Sequence, residues 1–107
     1  MIQVEFNFVP PGGGETDYTL VATLPDVPRP GDYIGVRHPN EDGLRTFIVR
    51  RVWWLLQTGT GSDGTVDKLC VECEFARSGW SSSTHKEACA MYEGRGRKVP
   101  EMDVSAY

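Results

Sequence analysis

Residues 29–77 constrain this chain most, because turn chemistry and period-2 apolar runs alternate there as a β-meander requires. RPGDYIGVR enters a strand, HPNEDG turns it, LRTFIVRRVWWLLQ returns it, TGTGSDGT turns again and VDKLCVECEFAR closes the set. Ahead of this block, IQVEFNFV sets Ile2, Val4, Phe6 and Phe8 on one face and Gln3, Glu5 and Asn7 on the other. That is the pattern of a half-buried strand. Pro10-Pro11-Gly12-Gly13-Gly14 interrupts the ladder, DYTLVATL forms a second strand, and the segment Pro25 to Asp32 reorients the chain through a tight Pro30-Gly31 turn.

The long fourth strand carries a register signal. Phe47 and Val49 share a face, but the apolar series resumes at Val52, Trp54 and Leu56, one residue out of step. The jump predicts a β-bulge at Arg50-Arg51 that bends the strand. By the same alternation Val52, Trp54 and Leu56 are expected to fill the core, with Trp53 and Leu55 on the opposite face. In the fifth strand, Leu69, Val71, Cys73 and Phe75 fall on one face and Cys70, Glu72 and Glu74 on the other. Thr84-His85-Lys86-Glu87 fits a capping box and Gly94 a C-terminal stop. The short helix between them is expected to dock through Ala88, Met91 and Tyr92.

The expected fold is therefore mainly β (α+β): a five-stranded antiparallel meander curling into an SH3-like barrel, with one short C-terminal helix. A single β-rich domain is expected over residues 1–94 and a flexible tail over 95–107. The Pro30-Gly31-Asp32 entry resembles the opening of many SH3-like barrels. It is a likeness of turn chemistry and assigns no family.

Charge and cysteine content narrow the function classes. The net charge is −4, unevenly spread. Residues 1–28 hold four carboxylates and no Lys or Arg, whereas residues 29–54 hold five Arg against three acids. A net-acidic chain disfavours bulk attraction to nucleic acid or anionic membrane. No apolar run approaches the ~18–20 residues of a membrane span, and no basic-then-apolar leader opens the chain. Three cysteines is an odd number for a disulfide framework. The expectation is a soluble cytoplasmic protein with reduced thiols and no membrane partner.

Cys70, Cys73, His85 and Cys89 have zinc-like spacing, C-x2-C followed by H-x3-C on a helix. Against this, Cys70 and Cys73 sit inside an alternating strand with no turn residue to converge their thiolates, so no metal and no cofactor is expected. The strip Arg37, Arg45, Phe47, Arg50, Arg51, Trp53 and Trp54 has the composition of a single-stranded nucleic-acid platform. Glu72 and Glu74 on the neighbouring strand are placed to neutralise its arginines. His38 and His85 lie in no motif that aims a thiolate, so no catalytic residue is named. An exposed Trp53 beside Leu55 and Arg51 is the composition of an interface hot spot. The expected function is thus a non-catalytic protein-interaction module, or a small accessory or inhibitory protein. Its expected contact surface is Arg51, Trp53, Leu55, Glu72 and Glu74 and its partner another protein, with nucleic-acid binding and a zinc-stabilised module as alternatives.

Overall fold

The curl of the sheet begins at one extra residue. Strands β4 (Leu44–Thr58) and β5 (Gly64–Ala76) pair antiparallel; Val49 faces Cys73, yet Arg51 faces Glu72, so Arg50 is inserted without a partner. This is the expected bulge. A second irregularity follows, because Leu55 faces Lys68 while Leu56 faces Val66, leaving Asp67 extra on β5. Its signal lay in the spacing of Val66 and Leu69, three residues apart where alternation asks for an even step.

The computed structural model describes residues 1–102. It is mainly β: β1 (Ile2–Val9), β2 (Tyr18–Leu24), β3 (Tyr33–Arg37), β4 and β5 form one sheet, followed by helix α1 (Ser83–Gly94). The sheet runs in the order β2-β1-β5-β4-β3 and curls into a half-barrel. One correction concerns strand direction. The pairs β1–β2, β3–β4 and β4–β5 are antiparallel as expected, but β1 and β5 are parallel, so the sheet is mixed. Alternation in two strands states which faces they bury and is silent on their mutual direction. Strands β2 and β3 are the two edges and do not pair with each other, which leaves the barrel open between them.

The concave face holds the core. Val4, Phe6 and Phe8 of β1 lie beside Leu69, Val71 and Cys73 of β5, and Phe47 and Val49 of β4 complete the layer; all are buried. Phe47 touches a ring on several sides, with centroids 4.2 Å from Phe8, 5.1 Å from Phe75 and 5.3 Å from His85.

Helix α1 packs on these rings through Tyr92 and, at its edge, Ala88, as expected, but also through His85 and Cys89, while Met91 points away. His85, Cys89 and Tyr92 are its buried positions, Ala88 is half-buried and Met91 is exposed. His85 stacks flat on Phe75. The N-cap is Ser82, not Thr84: the Ser82 side chain accepts from the His85 backbone N–H, and Glu87 stays in solvent. Tertiary contacts make that choice. Ser82 N–H donates to the Leu44 carbonyl at 2.8 Å, Leu44 N–H donates to the Trp80 carbonyl at 2.7 Å, and Ser82 Oγ donates to Glu41 at 2.8 Å. Gly43 permits this crossing, since a Cβ there would stand 2.5 Å from the Trp80 carbonyl oxygen.

Beyond α1, Arg97 donates to the carbonyls of Pro11 and Gly13, and Arg77 exchanges backbone hydrogen bonds with Pro100 and Met102. The remainder of the expected tail, residues 103–107, lies outside the described residues. Among the described residues no helix is long and apolar enough to cross a membrane.

The buried His85 makes stability depend on pH. Burial pushes its imidazole below the ordinary 6.5, so the unfolded chain takes up a proton more readily than the folded one. Stability should therefore fall as pH drops through 6.5, by at most about 1.4 kcal/mol per pH unit. It should level off once the folded-state value is passed. Arg45 beside Glu41 and Arg77 beside Glu93 hold those carboxyls below 4.5, so their contributions are lost only on further acidification. Urea unfolding in stepped buffers should show the upper transition, and His85→Gln should flatten it; an unchanged slope in the variant would assign the effect elsewhere.

Candidate binding surface

The five residues expected to form a contact surface do share the convex face of the sheet. Arg51 lies across from Glu72, Trp53 across from Cys70 and Leu55 across from Lys68. The Arg51 guanidinium sits 5.6 Å from the Trp53 ring centroid, within cation–π range. The charges, however, are turned on one another. Arg50 Nη1 reaches Glu72 at 2.8 Å, Arg50 Nε reaches Glu74 at 2.9 Å and Arg51 Nε reaches Glu72 at 3.1 Å. Glu72 is only 6% exposed, so it serves as the floor of an ion-pair cluster and not as a rim contact. Gly13 lies over this cluster at φ +103°, where a Cβ would meet Arg50 Nη1 at 2.3 Å. The β1–β2 connection is thus folded down onto Arg50, and the positive φ at Gly13 favours glycine there.

The largest exposed apolar group is elsewhere. Trp54 lies across from Leu69 on the concave side, as alternation requires, but it is 49% exposed, and Leu56 is 69% exposed. The expectation that they fill the core is corrected, and Trp53, half-buried beneath Arg51, is the less exposed of the two tryptophans. The reason is strand length. β4 has 15 residues and β5 has 13, whereas β1 has 8 and β3 has 5. β1 accompanies β5 only from Leu69 onward, and β3 accompanies β4 only as far as Ile48. Past those points β4 and β5 continue as a two-stranded ribbon, closed by a turn in which Gly59 N–H donates to the Asp63 carbonyl. Among the described residues no layer covers its concave side, where Trp54, Leu56 and Val66 stand, and Leu55 is exposed on its other side.

Among the described residues both edges of this ribbon are unpaired, β5 over Gly64–Lys68 and β4 beyond Val49. Val49 is the last β4 residue to exchange backbone hydrogen bonds on the β3 side, with Gly31 and Asp32. From Arg50 to Thr58, among the described residues, no strand lies on that side of β4. A recess of about 500 Å³ opens beside the ribbon, lined by Ile2, Trp54, Val66 and Leu69, with the Glu5–Lys68 ion pair at its margin. The run VWWLL, apolar on both faces and set in a strand that outruns β1 and β3, is the sequence signal that marks this ribbon.

The zinc-like set is not assembled. Cys70 lies on the convex face, its Sγ 3.5 Å from Glu5, whereas Cys73, His85 and Cys89 lie in the core. His85 Nε2 is 2.7 Å from the Ala76 carbonyl, which Cys89 Sγ also approaches. Among the described residues no group of three or more His, Cys, Asp or Glu side chains is placed to hold a metal ion. Burial raises all three thiols, that of Cys73 to about 12, so they stand as neutral thiols with no activated nucleophile among them. His38 is half-buried and lies edge-on to Tyr18.

Comparison with protein-family models, with curated proteins and with solved structures returns no match.

The ion-pair cluster should be structural. Glu72→Gln leaves Arg50 and Arg51 without their shared carboxylate and should cost about 1–3 kcal/mol of stability. Arg51→Ala, at a side chain 68% exposed, should cost less than about 1 kcal/mol. Denaturant unfolding of the two variants checks the order, and equal losses would remove Glu72 from its structural role.

Proposed function

We propose that this chain is a non-catalytic protein-interaction module that binds through the projecting β4–β5 ribbon. The observation that carries this reading is a projecting two-stranded ribbon with an unpaired β4 edge and Trp54, Leu55, Leu56 and Val66 exposed upon it. In water these side chains contribute little to folding, while a contiguous apolar patch of this kind marks contact with another macromolecule. The open edge offers main-chain hydrogen bonds and the side chains supply the selectivity, the two parts of strand-addition recognition. The convex residues Arg51, Trp53 and Leu55 form the other side of the same ribbon. Against a nucleic-acid platform stands the pairing of Arg50 and Arg51 with Glu72 and Glu74, which spends the positive charge inside the molecule. Three buried free thiols accord with a reducing compartment, and we place the protein in the cytoplasm.

Two aromatic side chains of β4, one exposed and one buried, provide the test. Trp54→Ala should shift the melting temperature little, because the side chain is half in solvent. It should weaken association about thirtyfold, from the ~2 kcal/mol that truncation of a central interface Trp costs. Phe47→Ala, by contrast, should cost about 3–5 kcal/mol of stability. Affinity capture from the native cell after nuclease treatment, with an untagged copy of the chain counted as a partner, measures the association. Undiminished capture by a chain carrying both Trp54→Ala and Leu56→Ala would sink the reading, and loss of all capture on nuclease treatment would favour nucleic acid.

A further inference from the structure

We infer that the strand completing the ribbon is β4 of a second copy of this chain, paired antiparallel about a two-fold axis at Trp54. The inference rests on the proposed interaction surface and names its partner. A two-stranded ribbon is marginal in water, and three or more strands with an apolar face are needed for stability. The β4 edge of this ribbon also lacks the guards that proteins place on an open edge, whereas β5 carries Asp67, Lys68 and a bulge. Between Val52 and Gln57 there is no proline, lysine or other charge.

The register follows from the sequence of that edge. Opposed residues in an antiparallel pair share a face, so only registers that keep Trp54 with even-numbered and Trp53 with odd-numbered neighbours preserve the apolar side. Centred on Trp54, the pairing sets Trp54 against itself, Val52 against Leu56, Trp53 against Leu55 and Arg51 against Gln57. Apolar residues meet apolar residues on both faces, and no arginine faces arginine. Centred on Trp53 instead, Arg51 falls opposite Leu55 and Arg50 opposite Leu56. Centred on Leu55, Trp53 falls opposite Gln57 and Val52 opposite Thr58. The Trp54 register alone is self-complementary, as a two-fold interface demands. It joins the two ribbons into a four-stranded sheet, β5-β4-β4-β5. The concave side of that sheet gathers Trp54, Leu56 and Val66 from both copies.

Sedimentation equilibrium of the full chain from micromolar to millimolar concentration tests the inference. The wild-type chain should be dimeric, and Leu56→Lys, at a solvent-exposed side chain, should raise the dissociation constant at least about tenfold with an unchanged melting curve at monomer concentrations. On mild oxidation Trp54→Cys should be trapped as a covalent dimer, because the axis sets that position against itself, whereas Leu56→Cys should not. A wild-type chain that stays monomeric, a dimer indifferent to Leu56→Lys, or trapping through Leu56→Cys in place of Trp54→Cys would each overturn the inference. A monomer that still loses a different captured protein on ribbon substitution would leave the broader interaction reading standing. A monomer whose ribbon substitutions change no capture would remove both.

Discussion

The fold depends on the ring of Phe47. It is fully buried and lies against Phe8, Tyr18, Phe75 and His85, which come from β1, β2, β5 and α1. One side chain of β4 therefore joins nearly every element to the rest. The arrangement explains how a short helix stays folded. A helix of 12 residues is near the limit of independent stability, and α1 is held by His85 stacking on Phe75 and by Tyr92 edge-on to the same ring. The Ser82–Glu41–Arg45 contacts pin its first turn to the β3–β4 connection.

Much of the fold was legible because it was encoded in alternation. The inward residues of β1, β4 and β5 as far as Val52, and the Arg50 bulge, all follow from period 2 and one break in it. The Arg29-Pro30-Gly31-Asp32 turn was legible for a separate reason: Gly31 adopts φ +94° behind a proline, and Asp32 N–H donates to the Arg29 carbonyl. The parallel match of β1 with β5 was illegible, because direction leaves no mark on a strand's own pattern. The helix cap at Ser82 was likewise hidden, since Thr84 and Ser82 are equivalent by residue type and the choice is made by Leu44 and Glu41, some forty positions away.

The candidate site shows a different limit. Alternation gave Trp54 and Leu56 the right side of the sheet and the wrong surroundings. A face is buried only where another layer lies over it, and that depends on how far the flanking strands run. Counting the residues in β1 and β3 against those in β4 was the available clue. The convex residues Arg51, Glu72 and Glu74 were brought together as the sequence implied. Their mutual pairing left the exposed apolar surface to the other side of the ribbon.

The parallel pairing of β1 with β5 also bears on how the chain acquires its structure during synthesis. Phe6 meets Val71, and Phe8 meets Cys73, across most of the polypeptide. Such distant contacts carry a loop-closure entropy that local hairpins avoid. On the ribosome, the β1–β2 hairpin emerges first with Val4, Phe6 and Phe8 bare, and it stays bare until β5 has left the exit tunnel. The central strand of the finished sheet is the last to be made, so the nascent chain passes through a long interval as an unpaired apolar hairpin.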